Sequence, residues 1–154
     1  MSGTLFLRRA TTEDAKDILR WRNDPTTREN SFNKDEIDLE SHMKWFVRKL
    51  GQDDCFMYML MADDEKVGNI RIDVTNGIGE ISYMIAPEHR GKGFGKKIIG
   101  MVEKELKEDA GDLQINELFG QTLKSNPASG KCFIANGYAL VFEGEVCEYK
   151  KGLN

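Results

Sequence analysis

Apolar and polar positions along the chain follow two periods, and the switches between them divide it into elements. Leu5 and Leu7 open a short first strand, after which Thr11 or Thr12 caps a helix carrying Ile18, Leu19 and Trp21, with Pro25 as its end. A second helix is predicted from about Lys34 to Leu50, where Ile37, Leu39, Met43, Phe46, Val47 and Leu50 form an apolar stripe. Phe56 to Ala62 is almost continuously apolar, as a strand covered on both faces requires, and Asp63 to Lys66 supply its polar turn. In the next strand Ile70, Ile72 and Val74 point one way and Asn69, Arg71 and Asp73 the other. Asn76-Gly77 marks a two-residue hairpin into a strand from Ile78 to Ile85.

After Pro87 a glycine-rich bend leads into a helix from about Gly93 to Glu108, on which Phe94, Ile98, Val102 and Leu106 recur at every fourth position. Ile115 to Leu123 reads as a strand, Asn126-Pro127 as an N-cap with proline in the first helical position, and Gly137 as the stop of a short helix. Two last strands close around Glu143-Gly144. The order β-α-α-β-β-β-α-β-α-β-β contains one β-α-β crossover. It predicts a mixed sheet in one α/β domain over residues 1–154, with no repeat or linker.

Composition narrows the partners. With 40% apolar and 31% charged residues the chain is globular in character, and 22 basic against 26 acidic residues offer no broad positive field, so nucleic acid is not expected. No apolar run approaches the roughly 18 residues that span a bilayer. The opening residues lack a basic leader and a signal-type apolar core, so no membrane association and a cytoplasmic location are expected. Cys55, Cys132 and Cys147 form no Cys-x-x-Cys pair, and His42 and His89 lack metal-ligand spacing, so neither a disulfide framework nor a metal is expected.

The segment Arg90-Gly91-Lys92-Gly93-Phe94-Gly95-Lys96 carries most of the chemical information. Glycines there permit positive φ and close approach of backbone N–H groups, and the following helix presents its positive dipole end. Arg90, Lys92 and Lys96 add charge, which makes a pyrophosphate the natural guest; a tight strand-to-helix turn with basic decoration is the competing reading. A P-loop needs a longer spacing between its glycines and a Ser or Thr after its lysine, where Lys97 stands here. The dinucleotide fingerprint needs a glycine at position 96 and an early first strand, and finds neither.

What remains is Arg-x-x-Gly-x-Gly directly after the strand ending Tyr83-Met84-Ile85-Ala86-Pro87. Together with the element order, the Asn76-Gly77 hairpin and Asn126-Pro127-Ala128-Ser129 before Asn136-Gly137-Tyr138, this resembles the GCN5-related N-acetyltransferase (GNAT) family over nearly the whole chain. The resemblance implies a single-domain fold with a mixed, mostly antiparallel sheet, about four flanking helices and two parallel strands splayed around acetyl-coenzyme A. It implies that the backbone of Arg90, Gly91, Lys92, Gly93, Phe94, Gly95 and Lys96 holds the pyrophosphate. The main chain of Met84, Ile85 and Ala86 would pair with the pantetheine arm, and Asn126 and Ser129 would supply later cofactor contacts. A homodimer is also expected on family grounds.

Acetyl transfer needs a neutral amine, a stabilised oxyanion and a proton for the departing thiolate. Glu80, acidic in a strand rich in Ile, Tyr and Met, is the preferred general base, with Glu117 as the competing carboxylate. The backbone N–H near Ile85 is the expected oxyanion donor. The family pattern places a proton-donating tyrosine where this chain has Phe133, so the acid stays open among Cys132, Tyr83, Tyr138 and water, with Tyr138 carried as the candidate. Arg22, Asn23, Arg28, His42, Trp45 and Phe46 lie where the family shapes its acceptor pocket. The stretch is similar to UDP-amino-sugar N-acetyltransferases of nonulosonic (pseudaminic) acid synthesis and to ribosomal-protein N-terminal acetyltransferases. The expected acceptor is a small-molecule amine on a nucleotide sugar, met by Arg22, Arg28 and His42 with Trp45 or Phe46 stacking on a ring. A protein N-terminus, a polyamine, and a non-catalytic coenzyme A-binding module remain as alternatives.

Overall fold

The computed structural model describes residues 4–153. Its centre is a seven-stranded sheet in the order β1-β2-β3-β4-β5-β7-β6, built from β1 (Leu5–Arg9), β2 (Cys55–Ala62), β3 (Glu65–Thr75), β4 (Ile78–Ile85), β5 (Glu117–Leu123), β6 (Ala139–Phe142) and β7 (Val146–Gly152). Only β4 and β5 run parallel, joined by the crossover helix α4 (Phe94–Asp109). Helices α1 (Ala15–Arg22), α2 (Pro25–Glu29) and α3 (Leu39–Leu50) lie between β1 and β2 in sequence, and α5 (Pro127–Ala135) between β5 and β6. The chain is thus the expected mixed α/β fold, with five α-helices where about four were expected.

Two cores cover the two faces of the sheet. Phe56, Tyr58, Leu60, Ile70, Ile72 and Ile81 pack with Ile98, Ile99, Val102 and Leu106 of α4, whereas Met57, Met59 and Met61 pack with Ile18, Trp21 and Phe46 of α1 and α3. The alternate residues of β2 therefore enter opposite cores, which is why that strand reads as unbroken apolar sequence.

Local chemistry sets the boundaries. Asn76 and Gly77 have φ of 52° and 79°, the positive pair a two-residue hairpin turn requires. Thr11 caps a short 3-10 turn (Thr12–Asp14) that runs into α1. The buried Asp14 carboxylate is penalised by burial. Hydrogen bonds from Arg8, Lys66 and the Thr11 N–H outweigh that penalty and hold its pKa well below the ordinary carboxylate value, which ties β1 to α1. Pro25 starts α2, with the Asp24 carboxylate accepting from the Thr26 and Thr27 amides.

The helix expected from Lys34 begins only at Leu39. Asn23 donates to the Ile37 carbonyl and accepts from the Ile37 N–H, both at 2.8 Å, so Ile37 is held in a clasp, and Asp38 then caps α3 through the Ser41 N–H.

The feature that positions the site is the limited pairing of β4 with β5. Ile78 to Ile81 pair with Glu117 to Gly120, and the strands then part. β4 stays paired to β3 as far as Ile85, and β5 to β7 as far as Leu123. Gly120, at the fork, accommodates the Phe133 ring of α5: a Cβ there would clash with its Cζ. Gly120→Ala is therefore expected to overpack the fork and destabilise the protein by about 1–3 kcal/mol, read as a lower urea midpoint with unchanged slope.

Candidate active site

Beyond the fork, β4 and β5 leave a slot whose mouth faces the start of α4. Gly91 and Gly93 adopt φ of 76° and 81°, and nothing lies within 4 Å of where a Cβ would be on either. Left-handed backbone explains the glycines, and the open side lets a ligand reach the main chain. The amides of Gly91 to Lys96 have no backbone or side-chain acceptor among the described residues, Gly93 as N-cap offers no side-chain cap, and the first helical amide bond is Lys97 N–H to Gly93 O at 3.4 Å. A row of unpaired donors at the positive end of a sixteen-residue helix fits a diphosphate. Gly95 has another role, because a Cβ there would stand 3.2 Å from Cys132 Sγ and 3.5 Å from the Tyr83 ring.

The basic residues of the loop divide. Arg90 is fastened to α2, its Nη2 lying 2.6 Å from Asp24 Oδ2 and 2.7 Å from Thr27 Oγ1. Lys92 Nζ sits 3.3 Å from His89 Nδ1, and His89 Nε2 lies 2.8 Å from Glu65 Oε1. Lys96 is exposed, and its carbonyl takes the Asn136 side-chain N–H, which also bonds Cys132 O and so locks α5 to the first turn of α4. Phe94 meets the His89 ring edge-to-face at 6.1 Å.

On β4 the polar backbone groups alternate sides. The Ala86 N–H bonds Val67 O at 2.9 Å, so Met84 and Ala86 turn toward β3, and of the three residues expected to line the pantetheine only Ile85 turns its N–H into the slot. Asn126 heads α5 half-buried without capping it, and Ser129 Oγ lies 2.8 Å from the Tyr83 hydroxyl.

The opposite face of the slot carries Arg71, Asp73, Glu80, Ser82 and Phe119, as the registers Asp73↔Glu80, Arg71↔Ser82 and Glu80↔Phe119 require. Glu80 is exposed one residue before the last β4–β5 pair and has no hydrogen-bond or ion-pair partner among the described residues. Glu117 pairs with Ile78 at the closed end, about 10 Å below the fork at the usual strand rise. Tyr138 is not brought to the slot. Its ring packs on Phe133, its buried hydroxyl has no partner among the described residues, and it neighbours Glu103 and Lys151, with burial first and Glu103 second raising its pKa. Glu103 lies about 13 Å along α4 from Phe94.

The expected acceptor residues separate into two groups. Asn23 is the Ile37 clasp; Arg28 Nε donates to Lys34 O at 3.1 Å; Phe46 is core; and buried His42 bonds Ala15 O through Nε2 at 2.8 Å, its pKa lowered by burial and by Arg22. These four build the wall. Arg22 and Trp45, both half-buried, stand at the slot face, where the Arg22 and Arg71 guanidinium carbons lie 5.3 and 4.9 Å from the centre of the Trp45 ring. Arg71 is engaged by Asp73, which also takes Lys49. Arg22 has no anionic partner among the described residues, and burial followed by the Arg71 charge lowers its pKa. Arg71 and Asp73 were legible only as the polar side of an alternating strand.

Among the described residues no group of three metal-ligating side chains converges, and no helix is long and apolar enough to cross a membrane.

Residues 4–139 match the family described as an acetyltransferase (GNAT) domain. No curated protein matches the chain. Among solved structures, a domain from Methanocaldococcus jannaschii is 21% identical, with 98% of this chain and 99% of that one covered and a TM-score of 0.83. Spermidine N-acetyltransferase from Vibrio cholerae, in complex with CoA and spermine, is 16% identical over 96% and 95% of the two chains (TM-score 0.81). The aminoglycoside acetyltransferase AAC(6')-Ib in complex with coenzyme A is 18% identical over 97% and 95% (TM-score 0.79).

Coenzyme A at 100 times its Kd is expected to stabilise the folded chain by about 2.7 kcal/mol, a rise in Tm of about 5–10 °C for a domain of this size. Gly93→Asp, which strains a left-handed position and sets a carboxylate against the diphosphate, is expected to remove that rise.

Proposed function

This chain belongs to the acetyltransferase (GNAT) family, and on that premise we propose that it transfers the acetyl group of acetyl-coenzyme A to the primary amine of a small anionic acceptor, a nucleotide-linked amino sugar. The observation that carries this reading is Arg22, a half-buried guanidinium beside Arg71 on the Trp45 ring without a carboxylate of its own among the described residues. A buried cation next to another cation is costly until an anion reaches it. A phosphate or carboxylate supplies that charge, and the indole offers a plane for stacking. A polycation meets the uncompensated Arg22 charge at the same place. The acceptors named for the similar structures, aminoglycosides and spermine, are of that opposite kind.

In this reading Glu80 takes the proton of the incoming ammonium from the acceptor side, directly or through one water, and the Ile85 N–H receives the carbonyl oxygen as it gains charge. Arg90, held by Asp24 and Thr27, sets the loop rather than the acceptor.

Incubating the protein with acetyl-coenzyme A and a pool of UDP-amino sugars, polyamines, aminoglycosides and peptides, and reading the acetylated products by mass, tests the acceptor class; selective acetylation of the polycations would overturn it. Arg22→Ala is expected to raise the acceptor KM about tenfold or more, the loss of one charge-assisted contact, with the acetyl-coenzyme A KM unchanged. For Glu80→Gln the expected result is a fall in kcat/KM of about 100-fold or more and loss of the acid limb, because a general base works only when ionised. An unaltered pH profile would remove Glu80 from the mechanism.

A further inference from the structure

Expulsion of a thiolate requires a proton at sulfur, and position 133, one turn into α5 from Ser129, is a phenylalanine. Its ring is buried between Tyr149, stacked at 5.3 Å, and Tyr83, edge-on at 6.1 Å. Tyr83 itself lies on β4 two residues beyond the last pair with β5, and it shares its face with Ile81 and Ile85 on the α4–α5 side. Its hydroxyl reaches across the opening to Ser129 Oγ at 2.8 Å, and its ring lies against the first turn of α4 at Gly95. Cys132 is the other polar group facing it. Among the described residues, the phenol that reaches across the opening is therefore carried by β4, not by α5.

We propose that Tyr83 is the proton donor to the coenzyme A sulfur, with Ser129 as its relay. As the amine nitrogen bonds the carbonyl carbon, the C–S bond breaks and its electron pair leaves with sulfur. The Tyr83 O–H proton passes to that sulfur, giving the free thiol. Glu80 holds the proton taken from the incoming ammonium, the second nitrogen proton leaves to solvent as the amide forms, and the phenolate recovers a proton from solvent through the Ser129 hydroxyl, so no further reactant is needed. Burial, the largest influence, holds the Tyr83 phenol protonated far above neutral pH despite the Ser129 hydrogen bond, so the donor form is always present.

The inference rests on acetyl transfer at this slot, and its test contains a reading that needs no acceptor. Tyr83→Phe is expected to lower kcat about 100-fold while the Kd for coenzyme A, by calorimetry, stays within about twofold. In the binary complex with coenzyme A the loss of the phenol is expected to raise the thiol pKa by about one unit, read from thiolate absorbance. Should Tyr83→Phe fail to fold, trifluorotyrosine at position 83 preserves the shape and is expected to introduce a basic limb in kcat. A kcat within threefold of the parent, a coenzyme A Kd that weakens in step with kcat, or an unmoved thiol pKa would each overturn the assignment. If the unaltered protein acetylates no amine, the activity fails while the thiol titration still reports on Tyr83.

Discussion

Four shared pairs between β4 and β5 are the constraint on which the rest depends. Each of the two strands has a second partner that holds it along its full length, β3 for one and β7 for the other. The sheet thus behaves as two well-paired halves joined over a short seam. Parting beyond Ile81 and Gly120 frees main-chain groups that face the slot, where an extended ligand can take their place. Gly120 and Phe133 hold the fork from one side, because the ring occupies the space that any Cβ would need.

The two faces of that slot carry different chemistry. Toward α4 and α5 lie unpaired amides, glycines in left-handed backbone and the Tyr83–Ser129 pair, a surface suited to a diphosphate and a thioester arm. Toward α1 and α3 lie Glu80, Arg71, Trp45 and Arg22, the surface on which the proposed acceptor would rest. Arg90 joins the two by binding Asp24 and Thr27 at the head of α2, so the glycine-rich loop and α2 are mechanically connected.

Much of this was legible in the residues. Periodicity located the strands and the crossover helix within a few positions, because each buries one stripe or alternate faces; even the double coverage of Cys55–Ala62 could be read from its unbroken apolar run. Positive φ at Asn76, Gly77, Gly91 and Gly93 follows from the few residue types that tolerate it. Membership of the acetyltransferase family follows from the same motif.

Side-chain allegiance was not legible, since it depends on which elements meet. Asn23, Arg28 and His42 are polar residues near the acceptor wall, yet their partners are the Ile37, Lys34 and Ala15 main chains, which no spacing rule connects to them. Met84 and Ala86 lost their part in the slot to strand alternation against Val67. Tyr138 follows the α5 motif closely in sequence but ends near Glu103, while Tyr83, placed by its parity on β4, spans the opening. Local pattern specifies how a backbone segment folds; packing between segments far apart in the chain specifies whether a polar group is satisfied internally or left free for a substrate.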